Sequence, residues 1–170
     1  AAERCGRIVR TFLAMARRRP AERAPVQLND LVRGAVDLLQ YGLRTAGVSV
    51  DQRLRPDLPA VMADADKLGQ VLLNLVVNAQ QALAQVDPPR LLRIETGLGA
   101  DGVWLRVADN GPGVSESSRD RIFDAFVTTK DEGVGTGLGL AVSRSVAIEH
   151  GGALVLEDAS PFGRGASFRL

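Results

Sequence analysis

The stretch Gly133 to Leu140, GVGTGLGL, restricts this chain more than any other. Glycines at 133, 135, 137 and 139 alternate with small or apolar residues, and a helical pattern, AVSRSVAIEH, follows at once. Glycine permits positive φ and lets backbone N–H groups approach a ligand, and a helix N-terminus aimed into such a loop suits a polyanion. A dinucleotide fingerprint would need G-x-G-x-x-G, but counting from Gly133, Gly135 or Gly137 the last position falls on Leu138, Leu140 or Val142. A P-loop would need Lys followed by Ser or Thr after its last glycine, and no such pair follows. Taken alone the loop is equally a flexible surface hinge, so its neighbours must decide.

With 170 residues, 45% of them hydrophobic, the chain can bury one good core, and a mean hydropathy of +0.02 is that of a soluble globular protein. The formal charge is +1 and only Arg17, Arg18 and Arg19 form a basic run, which gives no case for nucleic acid binding. The lone Cys5 excludes an internal disulfide and is compatible with a reducing cytoplasm. Apolar runs fall well short of the roughly 20 residues that span a bilayer, so these residues are expected in the cytoplasm without membrane contact. Opening on AAERCGRIVR without Met, the chain reads as a piece of a longer protein, in which an anchor elsewhere stays open.

Cys5, Ile8, Phe12 and Met15 follow one another at spacings of 3, 4 and 3, a stripe on a helix that ends before Pro20. This predicts a helical appendage over 1–19, joined by a proline-bounded linker at 20–27 to a main domain at 28–170. Asn29 is the expected N-cap of a helix running to about Ala46, and Asp64 that of the longest helix, Ala65 to about Val86. Strand patterns occupy Val48 to Leu54, Ala60 to Met62, Leu91 to Thr96, Val103 to Ala108, Ala153 to Asp158 and the stretch 163–170. Ser115 is expected to cap a short helix ending near Arg121. Between Gly111 and Gly139 little regular structure is predicted, the mark of a functional lid.

Asn74 and Asn78 lie four apart on the longest helix, beside its apolar stripe. Such amides can satisfy each other or a neighbouring backbone; two at this spacing also suit a shared ligand such as hydrated Mg²⁺. Asp109 ends a strand and Gly111, Pro112 and Gly113 follow, so it is either a turn former or an acid placed where the backbone opens a pocket. His150, the only histidine, is read as a C-terminal helix cap.

In this order the pieces resemble the catalytic, ATP-binding domain of sensor histidine kinases, within the ATPase family shared with gyrase, MutL and the heat-shock chaperones. QVLLNLVVNAQQA at 70–82 looks like the asparagine box, DNGPG at 109–113 the first glycine box, IFDAFVTTK at 122–130 the phenylalanine box and GTGLGL at 135–140 the second glycine box. Each is weak alone; all four in order within seventy residues are specific. The opening RCGRIVRTFLAMARRRP looks like the second helix of the dimerisation domain.

The resemblance implies an α/β (α+β) two-layer sandwich, with a mixed sheet carrying three helices on one face and the helical appendage in front. It implies Mg²⁺ and ATP as the bound groups, with Asn78 on the metal and Asn74 in support. Asp109 would accept from the adenine amino group, and Gly111 and Gly113 would let the base approach. Thr136, Gly137, Leu138 and Gly139 would offer backbone to the phosphates, and Lys130 would contact them. The implied activity is transfer of the γ-phosphoryl group to a histidine on the dimerisation helices of a homodimer, then to the receiver domain of a response regulator. Ala166 follows Gly165 where the family usually has Thr, and the family's phosphoacceptor histidine would lie before Ala1. Two rivals remain: a slow hydrolysing ATPase of the gyrase or chaperone type, disfavoured because Asn74 stands where those relatives carry a basic glutamate, and a nucleotide-sensing or scaffold module without catalysis.

Overall fold

The computed structural model describes residues 22–127 and 137–170. Their elements are β1 (Ala24–Val26), α1 (Leu28–Thr45), β2 (Val48–Leu54), β3 (Val61–Ala63), α2 (Ala65–Leu83), β4 (Arg90–Gly99), β5 (Gly102–Asp109), α3 (Glu116–Arg119), α4 (Gly139–Glu149), β6 (Val155–Leu156) and β7 (Ser167–Arg169). The appendage over 1–19, Lys130 and Thr136 lie outside the described residues.

Five strands form one mixed sheet in the order β2-β4-β5-β7-β6, with β2 parallel to β4 and the other pairs antiparallel. Period-two alternation sends Leu92 and Ile94 of β4 and Leu105 and Val107 of β5 into the core. There they meet Val32 and Val36 of α1 and Leu72, Leu75, Val76 and Leu83 of α2. Helix α1 lies against β2 and β4, α2 against β4 and β5, and α4 packs on α2. The architecture is the two-layer sandwich with a mixed sheet that the sequence implied.

The outer face of the sheet is a lattice of charge. Arg106 donates to Glu95 at 3.2 Å and to Glu157 at 3.0 Å, Arg93 donates to Asp51 at 2.9 Å, and the Arg106 guanidinium lies 5.2 Å from the Trp104 ring centre. Trp104 lies over its cross-strand partner Gly97, where a Cβ would overlap the indole.

Three local expectations are corrected. The segment read as a linker carries β1, which pairs antiparallel with β3; Pro25 is exposed in this two-stranded ribbon, where a missing N–H is tolerated. Asn29 does not cap α1, which starts at Leu28 behind Gln27. Its side chain is buried instead, donating to Arg55 O at 2.7 Å and accepting from Thr96 Oγ1 at 2.7 Å, while Thr96 Oγ1 in turn accepts the Arg55 N–H at 3.1 Å. Ser115 precedes α3 but its hydroxyl bonds Ser118 Oγ and makes no capping bond to the backbone. Asp64 does cap α2, accepting the Lys67 N–H at 3.1 Å. No helix among the described residues is long and apolar enough to cross a membrane.

Candidate functional site

Strand β5 delivers Asp109 into the interior and stops there. The ladder with β4 closes at the Leu92–Asp109 pair, after which Gly111, Pro112 and Gly113 turn the chain away. The carboxylate is 3% exposed and accepts the N–H of Gly111 at 2.8 Å and that of Ala166 at 3.4 Å. Burial pushes its carboxyl above the usual carboxylate range, and the two N–H groups offset part of that rise.

The backbone around this acid is packed to the limit that glycine allows. A Cβ at Gly111 would come within 2.8 Å of the Asp109 carboxylate and 3.2 Å of Ala82 Cβ, and one at Gly113 within 3.1 Å of Gly165 O. Gly165 has φ +89° and lies so close to Asp109 O that any side chain would overlap it. Two further side chains, missed from the sequence, hold the acid's neighbourhood. Asn110 accepts the Leu91 N–H at 2.7 Å and donates to Pro89 O at 2.8 Å, and Ser160 donates to Asp109 O at 3.2 Å. An Asn after an acid at a strand end reads as turn chemistry, so nothing local announces this clasp.

The glycine turn is described from Gly137 onward. Gly137 has φ +66°, and a Cβ there would lie 2.5 Å from the Phe126 carbonyl carbon, while the Phe126 N–H donates to Gly137 O at 3.0 Å. Leu138 is buried and precedes Gly139, the first residue of α4. At the base of this region Phe123 packs edge-on against Phe168, with centroids 6.4 Å apart, and Arg144 of α4 lies 5.1 Å over its ring.

Helix α2 is the common floor. Asn74, Asn78 and Ala82 recur every four residues along it, over about 12 Å of helix. Ala82 supports Gly111 beside the acid, and Asn74 donates to Gly139 O at 3.4 Å and to Ser143 Oγ at 3.3 Å. Half-buried Asn78 lies midway. Asp109, Gly111 and Gly113 thus gather at one end of this floor, and Asn74 and Gly139 at the other. Among the described residues, no group of three or more His, Cys, Asp or Glu side chains is arranged to hold a metal.

Residues 63–170 match the family model described as histidine kinase-, DNA gyrase B-, and HSP90-like ATPase. The sensor histidine kinase ZraS of Escherichia coli K12 is 35% identical over 169 residues, covering 99% of this chain but 35% of ZraS. The chain therefore spans about a third of that relative's length. Among solved structures, full-length ShkA in complex with AMPPNP superposes with TM-score 0.76 at 32% identity, over 89% of this chain and 31% of ShkA. The histidine kinase ThkA superposes both as its catalytic domain alone (TM-score 0.75, 30% identity, 87% of this chain and 93% of that one) and in complex with the response regulator TrrA (TM-score 0.80, 25% identity, 99% and 46%). Residues 63–170, the stretch that carries the helical floor, the buried acid and the described glycine turns, match the family model, and this chain belongs to the histidine kinase-, gyrase B- and HSP90-like ATPases.

Proposed function

We propose that this chain is the ATP-binding catalytic part of a cytoplasmic two-component sensor histidine kinase, which transfers the γ-phosphoryl group of ATP to a histidine on its dimerisation helices, for passage to a response regulator. The observation that carries this reading is the Asp109 seat: a buried acceptor at a strand end, walled by glycine backbone where any Cβ would intrude. An acceptor at that depth suits the exocyclic amino donor of adenine. Guanine would set a carbonyl oxygen against the carboxylate and leave two acceptors unpaired, at about 1–3 kcal/mol. Nucleotide binding by ShkA and the ThkA–TrrA complex support the ligand and partner classes by likeness.

In this reading Asp109 holds and orients the base, Gly111 and Gly113 admit it, and the backbone of Gly137, Leu138 and Gly139 receives the phosphates at the start of α4. Lys130 and Thr136 are assigned to the same phosphates from the sequence alone. Asn78 offers an amide oxygen midway along the floor. An amide oxygen fits Mg²⁺, which keeps its waters and is carried mainly by phosphate oxygens. The bound metal supplies charge neutralisation; the chain's own residues supply alignment.

The hydrolytic alternative needs a base near the phosphates. Asn74 stands there as an amide whose nitrogen already donates to α4, and an amide takes up no proton near neutral pH. Residues 1–19 are proposed as a dimerisation helix and 28–170 as the catalytic domain, with β1 as their junction. Calorimetric titration of the 170-residue chain with Mg-ADP and Mg-GDP tests the assignment: ADP is expected to bind and GDP to bind at least about fivefold more weakly. Equal affinities, or none for either, would overturn it.

A further inference from the structure

Ser143 is the one side chain on α4 whose polar group is wholly enclosed: its residue is 0% exposed, although it sits in the middle of a helix that meets solvent on its other faces. A buried hydroxyl is retained at a cost unless it is hydrogen-bonded. Its partner is Asn74, one turn before Asn78 on α2, whose amide nitrogen lies 3.3 Å from Ser143 Oγ and 3.4 Å from Gly139 O. The amide oxygen accepts from Gln70 at 3.0 Å. Asn74 is therefore held in one orientation, with its donors toward α4 and its acceptor along α2.

At its far end α4 is also tied down. His150 accepts the Asp64 N–H, Glu149 pairs with Lys67 at 2.6 Å, and Arg23 donates to Glu149 O. These contacts hold the C-terminal end of α4, and the bonds from Asn74 hold its N-terminal half, so Asn74 sets where the first turn sits. That first turn begins at Gly139, directly after the Gly137–Leu138 backbone.

We infer that Ser143 is a positioning residue of the nucleotide site, acting through Asn74 to fix the seat of the first turn of α4. Without the hydroxyl, the Asn74 nitrogen keeps only the longer contact to Gly139 O, an oxygen at the head of the helix. The turn that offers N–H groups to phosphate is then held on α2 only by that contact and by packing. The inference rests on the reading that this site binds a nucleotide.

The test is a double-mutant cycle read in binding and in stability: Mg-ADP affinity by calorimetry and the melting midpoint, for the parent chain, Ser143→Ala, Asn74→Ala and the pair. Ser143→Ala is expected to weaken Mg-ADP binding about three- to tenfold, the range of one lost hydrogen bond. The pair is expected to bind no more weakly than Asn74→Ala alone, because the serine acts through that amide. Ser143→Cys, which keeps the side-chain shape with a somewhat larger atom and replaces the hydroxyl with a weak acceptor, is expected to lose the same affinity and carries the test if Ser143→Ala does not fold. Unchanged affinity with a lowered melting midpoint, or losses that multiply in the pair, would reduce Ser143 to a packing residue and overturn the inference alone. No Mg-ADP binding by the parent chain would overturn both the inference and the nucleotide reading beneath it.

Discussion

His150 Nε2 accepts the backbone N–H of Asp64 at 3.0 Å, while its Nδ1 lies 2.8 Å from Val146 O and donates to it. The only histidine of the chain thus uses both ring nitrogens to fasten the end of α4 to the start of α2. It stands at the opposite end of the helix from Gly139, about 15 Å along the axis. An imidazole so engaged is a structural clasp, and the proposed phosphoacceptor is a different histidine, borne on another segment.

His150→Ala is therefore expected to lower stability by about 1–3 kcal/mol, since it leaves the Asp64 N–H and Val146 O without these partners. Labelling tells the roles apart. Given γ-labelled ATP, the 170-residue chain is expected to take up no base-stable label by itself. A histidine-bearing dimerisation helix supplied with it is expected to become labelled whether position 150 is His or Gln. Stoichiometric label on the chain, lost with His150, would reverse the assignment.

Asp109→Asn is expected to abolish measurable ADP binding while melting at or above the parent at neutral pH. The sign follows from burial. A carboxyl raised above its unfolded value of 3.8 contributes stability that is fully present below that value and lost as pH rises through the folded pKa. At neutral pH the buried charge is a net cost, which an amide accepting the same Gly111 N–H does not carry. Melting curves across pH check this, and the Asn variant's advantage is expected to vanish below pH 3.8.

Affinity is expected to follow the same titration in the opposite sense. The ionised carboxylate is the stronger acceptor for an amino donor, so ADP binding weakens on acidification, and does so at a pH above the ordinary carboxylate range. Calorimetry at a series of pH values would show it; an affinity that is flat until the ordinary range would remove Asp109 from contact with the base.

Thr96→Val is expected to cost about 2–4 kcal/mol, a loss large for one hydroxyl. Thr96 Oγ1 both donates to Asn29 Oδ1 and accepts the Arg55 N–H, so valine leaves two polar groups unsatisfied around a site only 5% exposed. Chemical denaturation would measure the loss, and a cost below about 0.5 kcal/mol would show that water replaces the hydroxyl.

The sheet and the long helix were legible because their signals are periodic and local: Leu92 and Ile94, Leu105 and Val107 alternate, and Asp64 announces a helix with its side chain. The resemblance drew on four short motifs, all of which are described at least in part, and Asp109 is buried at the end of β5. Asn29 misled because an Asn before an apolar helix is a cap by local rules, whereas here a partner 67 residues away claims its oxygen. Asn110, Ser143 and Ser160 were invisible for the same reason, since each acts on atoms that only the fold brings near. Ala24–Val26 was hidden by Pro25, which reads as punctuation until a strand at 61–63 pairs beside it.

Asp109 takes its second N–H from Ala166, 57 positions later, and Gly165 lies against its carbonyl. A ribosome adding about 5–20 residues per second needs about 3–11 seconds to cover that distance. Throughout the interval β4 and β5 can pair as a hairpin, yet β5 has no neighbour on its other side and its terminal acid lacks half its seat. The proposed seat for the base is thus among the latest features to exist on a nascent chain. On the proposed function a half-made domain is consequently blind to nucleotide, and the acquisition of adenine affinity during synthesis would mark the arrival of β7.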